Sequence, residues 1–546
     1  SDMFDKPPAS IRKALDPSNR LREFWAGAIE THYVKLFKKG VFVVVEKQDV
    51  PTDAIRLPSM WVLTVKPDKF SARLVVLGNK ASPSETPTSS PTPRSTVWKF
   101  LFSLAIKLGY PIRHIDLSSG FCHTKPQRQV FIRMPEGLGN EGKYLLCRMN
   151  IFGMPEAPLD LYLANWNFMK TYGLVQSVFD PCVYVRSAEK MNEWPILFVI
   201  LHVDDFAICA PQDWADAFVT AYSKQFDVED LGLIKRWMGM EMNWATEGLY
   251  ITHMRQVEGI LHRARLADQR NVQVPMTAER LTKDMCCKTK EDEQFMQDKP
   301  FRSIVGALSY LANQGVRLDL AYAVSELARY MDKAGPGHWE ALIHTLHYLR
   351  KHPNDGILLH REGGFEIRAT CDSDYNGCKD ERTSKTGVTL DLGGSLFLHI
   401  SRSQKWTAKS VGAAEYHAMA TCAAELLFFR QVKRHIGLQV GTCPVVKTDK
   451  PEVDENIPTL FSDSSVALAT AAKAANWLSE KFKHMSIHIH FFRQYVQAGF
   501  FKLAKIESAR NPSDVLTKGW SSREAFKNAA SHFIVELPFR FRPTTR

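Results

Sequence analysis

Residues 195–209 read PILFVILHVDDFAIC. Two apolar runs flank Asp204-Asp205, a pattern that predicts a β-hairpin with two adjacent carboxylates at its tip. Pro111–Asp116 (PIRHID) reads as a short strand that also ends in an acid. Asp116 and Asp204 stand 88 positions apart. Acids close in space and distant in the chain are what paired hard cations require. Mg²⁺ takes carboxylate oxygens, and two such ions stabilise the attacking and leaving oxygens of a phosphoryl transfer. Two acids at one tip repel each other unless a cation binds. On spacing alone, a solvated Asp-Asp turn is the competing reading.

Toward the N-terminus, Trp25, Ile29 and Tyr33 recur at helical spacing, and Val41–Val45 is strand-like. Trp61–Val65 and Ala72–Leu77 predict two strands joined by the turn at 67–69. The Ser/Thr/Pro-rich stretch 81–96 predicts a loop. Val97–Leu108 is apolar on most faces, which predicts a buried helix.

Toward the C-terminus, residues 266–300 are polar and predict a connection. Ile304, Leu308 and Leu311, then Leu342, Leu346 and Leu349, mark two helices within 301–351. A further unit starts near Phe365. Glu366–Thr370 is a strand, and Gly387–Leu392 and Ser395–Ile400 form a hairpin around Gly393-Gly394. A helix over Gly412–His435, a strand at Leu460-Phe461 leading into a helix capped by Ser464 or Ser465, a helix over Ser486–Gln497, a strand over Phe500–Ile506 and a helix opened by Asn511-Pro512-Ser513 follow. Asp372, Glu415, Asp463 and Asp514 fall at element ends, where four acids can converge on two metals and direct a water at a phosphodiester.

The chain has 546 residues, enough for three or four domains, with 45% hydrophobic and 24% charged residues, which excludes a mostly disordered polymer. The longest apolar stretch, about Pro195–Leu201, is far below the roughly 20 residues of a membrane span, so no membrane association is expected. The opening Ser-Asp-Met-Phe-Asp carries no charged-then-apolar leader, so no secretory signal is expected. Ten cysteines without a C-x-x-C pair disfavour a zinc site or disulfide scaffold and fit an intracellular, reducing setting. A formal charge of +11 suits a polyanionic partner. His484 and His490 have conceivable metal spacing, but a packed or surface helix face is the simpler reading. Trp406 and Trp477 read as core residues rather than stacking platforms.

Many short motifs share one order. They include Trp61-Val62…Lys66, Ala72-Arg73-Leu74-Val75, His114-Ile115-Asp116…Phe121, Ile151-Phe152-Gly153…Pro158, Asp180-Pro181-Cys182-Val183-Tyr184, His202-Val203-Asp204-Asp205 and Met238-Gly239-Met240-Glu241. Further on come Ser303-Ile304-Val305-Gly306-Ala307-Leu308-Ser309-Tyr310-Leu311, Asp372-Ser373-Asp374-Tyr375-Asn376-Gly377, Ala414-Glu415-Tyr416, Phe461-Ser462-Asp463, Lys483-His484-Met485 and Asp514-Val515-Leu516-Thr517-Lys518. From about Trp25 to Trp520 the chain resembles the reverse transcriptase–RNase H part of copia-type LTR retrotransposon Pol polyproteins.

The resemblance implies an α/β (α+β) chain: a right-hand polymerase of fingers, palm and thumb, then a connection and an RNase H-like mixed sheet. The expected divisions are an N-terminal extension at 1–24, the polymerase at 25–265, thumb or connection helices at 266–364, the RNase H-like domain at 365–525 and a tail at 526–546. Asp116, Asp204 and Asp205 would hold the polymerase metals; Asp372, Glu415, Asp463 and Asp514 would hold those that cleave RNA paired to DNA. Each site would take two Mg²⁺, with Mn²⁺ as a substitute. Lys66 and Arg73 would contact the incoming dNTP, Phe121 would exclude the ribose 2′-hydroxyl, and Gly153 would admit a close backbone approach to nucleotide and template. Lys235 is a candidate for assisting the pyrophosphate. Implied partners are an RNA template, a DNA primer, an RNA–DNA hybrid and dNTPs, with a second copy of the chain or other polyprotein products as further candidates. The implied setting is a cytoplasmic particle or the nucleus. No protease, integrase or nucleocapsid segment is recognisable, so a piece of a larger polyprotein, or a free-standing fragment, is expected. Three departures stand out: His202 replaces the family's usual Tyr, Met154-Pro155-Glu156-Ala157-Pro158-Leu159 replaces a stretch with two basic residues, and Ser71 stands in place of the Lys of the family's Lys-Ala-Arg. They motivate the alternative of a decayed or repurposed remnant that binds RNA or hybrid without polymerising.

Overall fold

The structure, a computed structural model, describes residues 7–65, 69–80, 88–139, 142–186, 197–266, 268–436, 457–473, 486–538 and 541. Lys66, Trp477 and His484 lie outside the described residues, as do 81–87 of the expected loop.

The chain is α/β, a hand-like first unit followed by a connection and an RNase H-like mixed sheet. Leu197–His202 and Asp205–Cys209 pair antiparallel, with Leu201 opposite Phe206 and His202 opposite Asp205. Both strands are apolar on successive residues because both faces are covered; Leu197–Leu201 and Phe206–Cys209 are all buried. The tip is tight enough to force Val203 to φ 60°, where a β-branched residue is strained. Ile112–Leu117 pairs with the second hairpin strand, and Val228–Leu233 pairs with Ile112–Leu117 on its other edge. Val183–Arg186 and Val175–Gln176 complete this six-stranded palm sheet. A four-stranded sheet of Phe42–Val45, Tyr144–Cys147, Val130–Arg133 and Ile55–Leu57, with the hairpin Ser59–Val65/Phe70–Val76, forms the fingers side.

Ser95–Lys107 is buried without a break from Val97 to Ile106. An all-round apolar helix must be covered on every side, and the covering comes from both halves of the chain. The Phe100 ring lies 5.2 Å from Phe397 and 5.4 Å from Phe429, both in the RNase H-like unit. Its two lysines finish the contact. Lys99 Nζ donates to the Gly315 carbonyl at 2.7 Å, and Lys107 Nζ donates to those of Glu362 at 2.7 Å and Gly393 at 3.1 Å. One apolar core therefore runs from the palm through the connection into the last unit.

Within 301–351 there are three α-helices where the apolar stripes predict two: Phe301–Ser309, Ala321–Ala328 and Pro336–Lys351. The middle one, AYAVSELA, is buried at six of its eight residues, so it has no polar face to betray its period. A five-stranded sheet joins Arg236–Trp237, Met240–Trp244 and Gly248–Thr252 to Asp355–His360 and then to Ile534–Glu536. It draws strands from the stretches expected as polymerase, connection and tail.

In the last unit the strand order is Ser395–Ser403, Lys385–Leu392, Ile367–Asp374, Thr459–Ser462, Lys502–Lys505. The first three are antiparallel; the last two add in parallel. Gly393 and Gly394, at φ 50° and 90°, make the tight hairpin turn that the sequence predicts. Ser410 Oγ caps the helix Val411–His435, accepting from Ala413 N–H. Asn511-Pro512-Ser513 opens a short 3₁₀ turn, Pro512–Leu516, rather than a full α-helix, and Arg523–Ala530 is the last helix among the described residues.

Candidate active sites

The palm acids are brought together by sheet register. Asp205 sits directly opposite Asp116, and Glu229 sits opposite Asp116 on its other side, so three carboxylates form a row across three adjacent strands. Asp204 occupies the hairpin tip, and its carbonyl accepts from Leu117 N–H at 3.0 Å. Burial, Asp204 and Asp205 push the Asp116 carboxyl up to about 6. Burial and Asp205 also raise Asp204, partly offset by the Arg73 guanidinium. Asp205 goes the other way. Burial opposes its ionisation, but His114 Nε2 at 3.1 Å and His202 Nδ1 at 4.0 Å hold its carboxyl below the ordinary range. His202 thus shares a carboxylate with His114, and each imidazole lies 6.1 Å from the Trp237 ring. Mutual repulsion among Asp116, Asp204 and Asp205 is what a cation relieves, so this donor set fits a divalent metal.

On the fingers side, Arg73 is exposed, with its guanidinium carbon 4.1 Å from the centroid of the Phe152 ring. Phe121 meets the same ring edge-on at 4.9 Å. Gly153, at φ 90°, lies against the fingers strand: a Cβ there would stand 1.9 Å from the Val76 carbonyl oxygen. Val76 N–H also donates to the Phe152 carbonyl at 2.8 Å. Lys235 is exposed in the loop before Arg236–Trp237. The acid of the 154–159 stretch, Glu156, is buried and bonded to Arg128, so its charge is compensated inside the fold.

The second cluster is assembled from four elements. Asp372 lies on the central strand, Asp463 follows the parallel strand beside it, Asp514 sits in the turn Pro512–Leu516, and Glu415 lies in the first turns of the long helix. One oxygen each from Asp372, Asp463 and Asp514 comes within 4.8 Å of the others, the single such grouping among the described residues. Burial and the other carboxylates push Asp372 up to about 7 and Glu415 up to about 9. Glu415 Oε2 is buried with no hydrogen-bond partner. An orphaned carboxylate oxygen beside three converging acids is a donor set that fits a divalent cation.

Sequence reasoning alone did not find the donors that hold these acids. Thr517 Oγ1 donates to Asp372, Ser508 Oγ donates to Asp463 Oδ2 at 2.6 Å, and Lys518 Nζ lies 2.7 Å from Asp514 Oδ2. Thr517-Lys518 stands inside a motif already singled out, which is the available signal; Ser508 has none. His490 is exposed on the helix Ser486–Gln497. Trp406, expected in the core, is 38% exposed, with its ring 4.8 Å from His417.

Residues 40–278 match the family model described as reverse transcriptase (RNA-dependent DNA polymerase). The chain is 28% identical to a retrovirus-related Pol polyprotein from transposon TNT 1-94 of Nicotiana tabacum, over 94% of this chain and 38% of that protein. It is 27% identical to the Pol polyprotein from transposon RE2 of Arabidopsis thaliana, over 88% of this chain and 32% of that protein. The chain thus spans between about a third and two-fifths of the length of these relatives. A solved foamy viral protease–reverse transcriptase in complex with double-stranded DNA aligns at 12% identity and TM-score 0.48, covering 88% of this chain and 69% of that one. The palm row, the second carboxylate cluster and the sequence likeness extend together along most of the chain: residues 40–278 match the reverse transcriptase family, and the chain as a whole is similar to the copia-type retrotransposon Pol polyproteins.

Proposed function

We propose that the chain is an RNA- and DNA-templated DNA polymerase with a linked ribonuclease H, each site working with two divalent cations. The observation that carries the reading is the presence of two separate carboxylate clusters in one continuous fold, one at a palm hairpin and one at an RNase H-like sheet.

In the palm, Asp116, Asp204 and Asp205 would hold Mg²⁺. Bound there, the cations supply charge stabilisation to the attacking 3′-oxygen and the leaving pyrophosphate. The chain's own contribution is placement. Val203, at φ 60°, holds Asp204 at the tip, while His114 orients Asp205 by a hydrogen bond and, with His202 nearby, favours its ionised form. Arg73 offers a planar guanidinium suited to a triphosphate oxygen pair. Phe121, braced edge-on by Phe152, would exclude a ribose 2′-hydroxyl.

In the second cluster, Asp372, Glu415, Asp463 and Asp514 would hold the cations that activate water against RNA in a hybrid. Thr517 and Ser508 fix two of these carboxylates by neutral hydrogen bonds. A hybrid is read by its backbone and 2′-hydroxyls rather than by base sequence.

The test is primer extension on poly(rA)/oligo(dT) and hybrid cleavage from one preparation with Mg²⁺. Extension that Asp204→Asn abolishes, and cleavage that Asp463→Asn abolishes, are the expected results. Hybrid binding with neither reaction in the wild type would overturn the reading.

A further inference from the structure

Each of the three converging carboxylates of the second site is held by one side-chain donor, and the three donors differ in charge. Thr517 and Ser508 are neutral hydroxyls. A hydroxyl can keep its bond to one carboxylate oxygen while the rest of the group ligates a cation, as the outer partners of metal ligands do. Lys518 is an ammonium, 2.7 Å from Asp514 Oδ2. A divalent ion approaching Asp514 meets a like charge already seated on its ligand.

We propose that Lys518 is a tethered cation that competes with the divalent metal for Asp514, and so sets the metal concentration at which this site loads. The inference rests on reading the cluster as a metal-dependent nuclease site. The two partners are built for exchange. The Asp514 side chain is 11% exposed and fixed in a buried turn, whereas that of Lys518 is 41% exposed. The ammonium is the more exposed partner and can swing into solvent, whereas the carboxylate stays in place. Trp520, its ring 5.5 Å from Lys518 Nζ, offers the displaced cation a second resting place. The cluster also shows why a resident cation is useful. Asp372, Asp463 and Asp514 lie together while Glu415 Oε2 has no partner, so without metal Lys518 neutralises one of several crowded acids. Lys518 acts through Asp514 and is a positioning residue.

The test uses the full chain carrying Asp116→Asn and Asp204→Asn, which silences the palm, with Mn²⁺ binding followed by calorimetry and by the electron paramagnetic resonance of free Mn²⁺. Lys518→Gln is expected to tighten Mn²⁺ binding by about twofold to fivefold, the factor that an ion pair near the surface commands. Lys518→Met, which keeps the apolar stem, is expected to do the same, and Lys518→Arg to restore the parent affinity. On an Asp514→Asn background, Lys518→Gln is expected to change nothing. Unchanged or weaker binding in both Lys518→Gln and Lys518→Met, with Mn²⁺ still bound by the parent chain, overturns the proposal alone. No Mn²⁺ bound by the parent chain overturns the nuclease reading itself.

Discussion

The two carboxylate clusters are solved by different geometry. In the palm, register does the work: Glu229, Asp116 and Asp205 are lined up by antiparallel pairing, and a strained two-residue tip adds Asp204. Like charges there are partly compensated by neighbours, since His114 and His202 hold Asp205 ionised. In the second cluster four acids converge from two strands, a helix and a turn, and Asp372, Glu415 and Asp514 are buried where the palm acids are half-buried. Burial and mutual repulsion drive Glu415 to about 9 and Asp372 to about 7. The difference teaches that a half-exposed row of acids with imidazoles beside it is raised less, to about 6 at Asp116, whereas a more deeply buried knot of acids holds its protons more tightly until a cation replaces them.

The sharpest way to separate the two is to disable them one at a time. Asp372→Asn or Asp463→Asn is expected to lower hybrid cleavage by about a thousandfold while leaving extension near wild type, and Asp204→Asn to do the reverse. Gel assays on matched substrates decide it; loss of both activities from either substitution would dissolve the distinction.

The shared helix sets how separate the clusters are. Phe100→Ala removes a ring packed on Phe397 and Phe429, and is expected to cost about 3–5 kcal/mol. Denaturant unfolding followed by tryptophan fluorescence and circular dichroism checks it. Both probes are expected to shift together, because the core is continuous; a shift confined to one transition would show that the halves unfold independently.

A smaller effect is expected at Phe121. Phe121→Ala should admit ribonucleotides about tenfold to a hundredfold more readily, leaving cleavage unchanged, as competition between rNTP and dNTP in single-turnover extension would measure.

The smallest expected effect is a pH trend. In the metal-free protein Asp372 rises from its ordinary 3.8 to about 7, and Glu415 from 4.5 to about 9. Between the ordinary and the raised values the folded chain binds more protons than the unfolded one, so stability is present at low pH and lost as pH climbs toward 7 and then 9. Melting in EDTA should therefore fall by a few degrees from about pH 5 to 9, and saturating Mg²⁺ should flatten the slope. A melting temperature that rises over this window would contradict the buried-acid account.

What the sequence discloses follows the same division. The hairpin at 197–209 is legible because two apolar runs and a polar tip suffice to specify it. The helix Ser95–Lys107 is legible as buried, but not what buries it, since Phe397 and Phe429 lie some three hundred positions away. Ala321–Ala328 escapes because a short helix covered on all sides has no periodicity to detect. In the second cluster the acids stand in recognisable motifs. The hydroxyl of Ser508 does not, because only the fold brings it to Asp463. The strand Ile534–Glu536 is three residues long with no buried position, and its partner, Asp355–His360, lies across the whole RNase H-like unit.

That last pairing governs the order of assembly during synthesis. The RNase H-like unit is nested between two adjacent strands of a sheet begun at Arg236, so that sheet stays one strand short until the ribosome has passed Glu536. An ending placed just after the turn Pro512–Leu516 would leave the Asp355–His360 edge bare. Such a nascent or shortened chain would carry an open strand edge free to join a neighbour's sheet.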